Sequence, residues 1–139
     1  MNRNWDIDPL IGAGEIKFDL DRSELRSILG GNYSEYKKNK YSDNTTDDYG
    51  DFHVYYDKDN KCEAVEFFGN CRVFYLGQNL FDLNKKDFSQ LFDDCTEEYG
   101  SYVSEKMSIG AYIPEDSVET VLVARKGYYH NAWPICVRM

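Results

Sequence analysis

No stretch of this 139-residue sequence approaches the roughly 18 consecutive apolar residues of a membrane-spanning helix, so neither such a helix nor a membrane partner is expected. The opening residues Met1–Asp8 lack the apolar centre of a secretory signal, and a cytoplasmic protein is expected. Histidine is scarce, with only His53 and His130. Neither stands in a His-x-x-x-His or Glu-x-x-His pattern. The four cysteines, Cys62, Cys71, Cys95 and Cys136, form no Cys-x-x-Cys. Zinc and di-iron chemistry therefore lack support, and no metal is expected. Gly12-Ala13-Gly14 precedes a strand rather than a helix, so it lacks the context of a phosphate loop and no cofactor is expected. A reducing cytosol favours free thiols, although adjacent strands are able to bring Cys62 and Cys71 together.

Positive charge is the other shortage. Sixteen Lys and Arg face twenty-five Asp and Glu, a net charge of −9. Nucleic-acid binders present basic patches to phosphate, so nucleic acid is not an expected partner. An acidic chain is steered instead towards cationic partners.

What the chain has is aromatic content, including twelve tyrosines, and an internal echo. Gly14–Leu25, containing Phe18-Asp19-Leu20, is matched 63 residues later by Gly77–Phe88, containing Phe81-Asp82-Leu83. Tyr56–Val65 is matched at an offset of 56 by Tyr112–Val121. A period of this size points to a duplicated supersecondary unit, with pseudo-repeats at about 12–68 and 71–125 of a single domain spanning residues 1–139.

Short alternating runs read as strands at Glu15–Phe18, Phe52–Tyr56, Glu63–Phe68, Cys71–Leu76, 107–113 and 118–125. Asp21 or Ser23 is placed to cap one helix, with Leu25, Ile28 and Leu29 as its apolar face and Gly30-Gly31 as its stop. Asn84 is placed to cap a second, with Phe88, Leu91 and Phe92. Residues 1–13 read as an irregular lead-in and 32–51 as the longest loop, and the aromatic tail through Trp133 and Ile135 is expected to pack down. The expected fold is α+β: a duplicated β-α-β-β unit forming one curved, mainly antiparallel sheet of about six strands, with two helices on one face.

No residue is marked as catalytic. Adjacent acids such as Asp93-Asp94 belong to solvated faces more often than to acid–base pairs, and an enzyme is not expected. Two acidic stretches stand out as partner-binding candidates. Residues 42–51 hold Asp43, Asp47, Asp48 and Asp51 and no base, beside Tyr33, Tyr36, Tyr41 and Tyr49. Residues 82–98 hold six acids, including Asp93, Asp94, Glu97 and Glu98, against Lys85 and Lys86. Tyrosine buries area at low entropic cost, while carboxylates meet Arg and Lys, so the combination suits a protein interface.

Three segments carry a resemblance. They are Pro9–Phe18 followed by Arg22-Ser23-Glu24-Leu25 and Leu29-Gly30; Asp57–Phe68 with Gly77–Phe81; and Val118–Val123 with Gly127-Tyr128-Tyr129. Together, across most of residues 9–129, the chain resembles a family of small bacterial immunity proteins associated with polymorphic toxins, including contact-dependent growth inhibition. The resemblance implies a cytosolic antidote that binds the toxic C-terminal domain of a larger secreted protein, often a nuclease, and occludes its active site. It transfers no interface residue. The alternative from another class is a protein-interaction or small-ligand module with no toxin partner.

Overall fold

The architecture comes from a computed structural model that describes residues 4–37 and 39–129. The expected tail contacts of Trp133 and Ile135, together with His130 and Cys136, lie outside the described residues.

Alternation builds the first element. Asn4-Trp5-Asp6-Ile7-Asp8 forms β1 (Asn4–Asp8), burying Trp5 and Ile7's side of the strand and exposing Asp6 and Asp8. It pairs antiparallel with β2 (Gly12–Ala13), which pairs with β3 (Ile16–Lys17). On its other side β1 runs parallel to β8 (Arg72–Tyr75), which turns into β9 (Gln78–Asn79). These strands make a five-stranded sheet in the order β3-β2-β1-β8-β9.

The larger sheet is antiparallel at every junction. After α1 (Arg22–Leu29), a four-stranded meander runs through β4 (Ser34–Lys37), β5 (Thr45–Asp48), β6 (Phe52–Tyr56) and β7 (Cys62–Phe68). After a 3₁₀ turn at Leu80–Asp82 and α2 (Lys85–Gln90), a second runs through β10 (Thr96–Glu98), β11 (Ser101–Ser104), β12 (Ile109–Tyr112) and β13 (Thr120–Ala124). Pairing of β13 with β7 joins them into eight strands, ordered β10-β11-β12-β13-β7-β6-β5-β4.

The expected six-stranded α+β sheet is therefore overturned. The described residues form thirteen strands in two sheets, with only two short α-helices. The 32–51 stretch is mostly an edge hairpin rather than a loop, and the lead-in contains a strand. Edge strands bury little, so β4 and β10 show no apolar alternation to betray them.

One core joins the two sheets. The Trp5 ring from β1 stands 4.9 Å from Phe52 and 5.3 Å from Phe67 on the larger sheet. Leu25 and Leu29 of α1 enter this core, whereas Ile28 remains 43 % exposed and is not part of the helix's buried face. Phe88 and Phe92 are buried at α2.

The sequence echo falls on corresponding places. Asp21 and Asn84, 63 residues apart, are the N-cap residues of α1 and α2. The β7–β13 register pairs Val65 with Val123, Glu66 with Leu122 and Phe67 with Val121, a local twofold in which a shift of 56 carries Glu66 onto Leu122. The recurring unit is a helix followed by a four-stranded meander, not β-α-β-β. On β6 and β12 the correspondence moves by one residue. Phe52, Val54 and Tyr56 point into the core as Ile109, Ala111 and Ile113 do, while Tyr112 is largely exposed. The β-bulge at Tyr55/Tyr56 accounts for the shift.

The two caps differ in chemistry. The Asn84 side chain accepts the Asp87 amide at 2.8 Å, while Asp21 makes no side-chain cap bond and engages Ser23 and Lys61 instead. Asn84→Ala is expected to lower stability by about 1 kcal/mol. Asp21→Ala removes no such bond and is expected to cost less; urea melts of the two variants check the order.

Candidate functional site

Local structure divides the sequence-predicted contact residues among three places. The first is the inner side of the β4–β5 hairpin, beneath α1. Period-two alternation along β5 turns Asp47 inward, and α1 supplies its partners one turn apart. Arg26 donates to it from Nη2 at 2.8 Å and from Nε at 2.9 Å, and Arg22 Nη2 lies 3.7 Å away. Arg26 also reaches Glu35 at 3.1 Å. Arg22 donates to the Thr45 carbonyl at 2.6 Å and to the side chains of Asn44 and Asn60.

The guanidinium of Arg22 lies 4.2 Å from the Tyr56 ring centroid, and that of Arg26 4.4 Å from the Tyr33 centroid. Tyr49 stacks on Phe52, and burial next to Asp47 pushes its phenol up to about 12. Asp47 is 0 % exposed, so it cannot touch a partner. That corrects its assignment as a contact residue: it is the buried charge that docks the edge hairpin onto α1. An open groove of about 530 Å³ runs along α1, lined by Asp21, Arg22, Ser23, Arg26, Tyr33 and Asn60, but its two arginines are already engaged internally.

The second place is the opposite face of the same strands. The sheet registers align Asp48 with His53, His53 with Glu66 and Glu66 with Leu122 in one row. The Tyr36 hydroxyl is 2.7 Å from His53 Nδ1, and His53 Nε2 is 3.2 Å from Asp48 Oδ1. In one neutral tautomer Nδ1 accepts from the phenol and Nε2–H donates to the carboxylate, satisfying all three groups. The Tyr55 hydroxyl donates to Glu66 Oε1. Phe68 meets the His53 ring edge-on with centroids 4.7 Å apart.

Burial, then the nearby charges of Asp48 and Glu66, raise the Tyr36 phenol above its ordinary range, so it stays neutral and weakly nucleophilic. What the array presents is the half-buried rings of Tyr36, His53 and Phe68 edged by carboxylates, while Tyr55 itself is buried. Among the described residues, no lysine or arginine forms an ion pair with Asp48 or Glu66. His53, Glu66 and Phe68 were missed as candidates in the sequence. The turn at Asp57–Lys61 by itself sets Tyr56 opposite Cys62 and would put His53 opposite Val65; the register shift at Tyr55/Tyr56 brings His53 opposite Glu66, and no local sequence signal marks it.

The third place is the far edge of the larger sheet. Asp93, Asp94, Glu97 and Glu98 lie at or before β10, with six strands between β10 and β4. Asp93 is 81 % exposed beside Lys106, while Glu97 accepts the Gly100 amide at 3.0 Å. Glu98 is half-buried. Tyr41, Asp43 and Asp51 are exposed around the first hairpin. The two acidic stretches therefore form no common surface.

Asp94 accepts from the Ser104 hydroxyl at 2.7 Å and the Lys106 amide at 2.8 Å. Burial raises its pKa, but these two donors outweigh that and hold it below the usual carboxylate value. The stabilisation is present above the unfolded-state pKa, near 3.9 for aspartate, and is lost as pH falls through the lower folded value. Asp94→Asn is expected to flatten the loss of stability on acidification below about pH 4, compared with wild type; urea midpoints across the acid range check it.

Cys62, Cys71 and Cys95 are free thiols. Burial pushes Cys62 up to about 12 and Cys71 up to about 11, the opposite of an activated nucleophile. Among the described residues no cluster of three metal-ligating side chains occurs, and no helix is long and apolar enough to cross a membrane. Comparison with known protein families, curated proteins and solved structures returned no match. The functional reading therefore rests on the residues themselves.

Proposed function

We propose that this chain is a cytoplasmic immunity protein that binds the toxic C-terminal domain of a larger secreted protein and neutralises it by covering its active site. The partner is a cationic domain of nuclease type, and the activity is binding rather than catalysis. The observation that carries this reading is the outer face of β4–β7, where Asp48 and Glu66 stand among Tyr36, His53, Tyr55 and Phe68 with no described lysine or arginine paired to either carboxylate. A nuclease presents cationic groups to phosphate, and an acidic face competes for those groups. Charge complementarity speeds capture, while aromatic contacts desolvated at the interface slow release.

Co-expression with a toxic domain encoded next to this gene tests the reading. Survival of the host and co-purification of a stoichiometric complex are expected. A toxic domain that neither binds nor is neutralised overturns it. The open groove along α1 favours the alternative of a small-ligand module, for which a ligand co-purifies and no protection is seen.

A further inference from the structure

We propose that the face formed by Asp48, His53, Glu66 and Phe68 receives an arginine side chain of the partner, with Glu66 as its anchor. This rests on the binding role proposed above, but it concerns the chemistry of the contact and is testable without a toxin. Among the described residues, five cations are committed to other carboxylates, and no described ion pair of a lysine or arginine reaches Asp48 or Glu66. Arg22 and Arg26 serve Asp47, and Arg125 serves Asp19, Asp57 and Glu63. Lys61 serves Asp21, and Lys106 serves Asp93. Among the described residues, Asp48 meets the Gly50 amide and the His53 ring, and Glu66 meets the Tyr55 hydroxyl. Two carboxylates thus border a patch of ring edges and faces, an environment that attracts a cation and repels phosphate.

The geometry selects among cations. Asp48 and Glu66 are two strands apart, about 10 Å along the sheet, too far to chelate one small ion together. A planar guanidinium spans more of that distance. It lays one face on Phe68 while its N–H fork meets the carboxylate of Glu66, a combination that a lysine ammonium cannot reproduce. Asp48, held by Gly50 N–H at 2.7 Å and by His53, adds its field without moving.

The internal symmetry of the larger sheet supports the assignment to this half alone. The counterpart of Glu66 is Leu122. His53 corresponds to Gly110, whose position is closed by the Tyr129 ring packed against it. Among the described residues, the counterpart positions Leu122 and Gly110 carry neither the charge nor a ring of their own.

The test uses the full chain and N-acetyl-arginine amide, with the citrulline and lysine analogues as controls, followed by chemical shifts of the His53 ring and of backbone amides on β5–β7. Saturable shifts with a dissociation constant of about 10 mM are expected for the arginine probe, as suits one charge-assisted contact with ring stacking. The neutral citrulline probe is expected to give none and the lysine probe weaker ones. Glu66→Gln and Phe68→Ala are each expected to weaken binding at least about fivefold, with unchanged far-UV circular dichroism. Equal binding of citrulline, no saturable shift, or an unaffected Glu66→Gln variant overturns the proposal. Should Phe68→Ala prove unfolded, Glu66→Gln alone decides. If a toxic domain binds but ignores Glu66→Gln, the arginine contact fails and the immunity role stands. If the arginine probe binds and no toxic domain is neutralised, the reverse holds.

Discussion

Asp47→Ala is expected to lower folding stability by about 3–5 kcal/mol, the range for breaking a buried ion pair by removing one partner. Its carboxylate is fully buried and receives two hydrogen bonds from Arg26 with Arg22 close behind. Removing it leaves two guanidiniums beneath α1 facing each other without the charge that compensates them. Arg22 is nearly buried and cannot escape to water, whereas Arg26 is partly exposed and still holds Glu35. Arg26→Ala is therefore expected to cost less than Asp47→Ala. Urea midpoints of the two variants measure both values. A loss below about 1 kcal/mol for Asp47→Ala, the scale of an exposed pair, would show that the hairpin is not held to α1 by this charge.

Phe67→Ala is expected to cost about 3–5 kcal/mol as well, for a different reason. Phe67 is fully buried on β7, pairs across the sheet with Phe52 and Val121, and meets Trp5 from the smaller sheet. Truncation leaves a cavity where the two sheets join, and the strands on either side are hydrogen-bonded in place and collapse little. The near-UV signal of Trp5 should weaken together with the denaturation midpoint. Phe68→Ala, one residue on and pointing to the other face, should leave both close to wild type. A reversed order of these two would place the core on the wrong side of β7.

The contrast between Phe67 and Phe68 shows which parts of the fold were legible. Central strands carry period-two signals, so β6 and β7 emerged from the sequence with nearly their true bounds, as did the caps Asp21 and Asn84. The edge strands did not. Glu-Tyr-Lys on β4 and Thr-Glu-Glu on β10 satisfy only one neighbour and bury almost nothing, so their sequences look like loop. β1 had a readable pattern in Asn-Trp-Asp-Ile-Asp, but its parallel partner β8 lies more than sixty residues away, and no local signal specifies that pairing.

The candidate site was half legible for the same reason. Composition pointed to the acidic, tyrosine-rich 42–51 stretch, but only the register shows that Asp47 turns inward to two arginines while Asp48 turns outward to His53. A one-residue step along a strand separates a structural charge from a surface one. Glu66 and Phe68 lie outside any acidic run and became visible only through the β6–β7 pairing.

In the proposed role, the outer face of β4–β7 captures a cationic toxic domain. Its most direct test is the affinity of any toxic domain found encoded beside this gene for wild type and for the Asp48→Asn/Glu66→Gln double variant, by calorimetry at two salt concentrations. The expected result is a loss of at least about a hundredfold, on the scale of removing two interfacial charge contacts, with a shallower salt dependence and an unchanged melting temperature. Equal affinity and equal salt dependence for the two proteins would contradict the account.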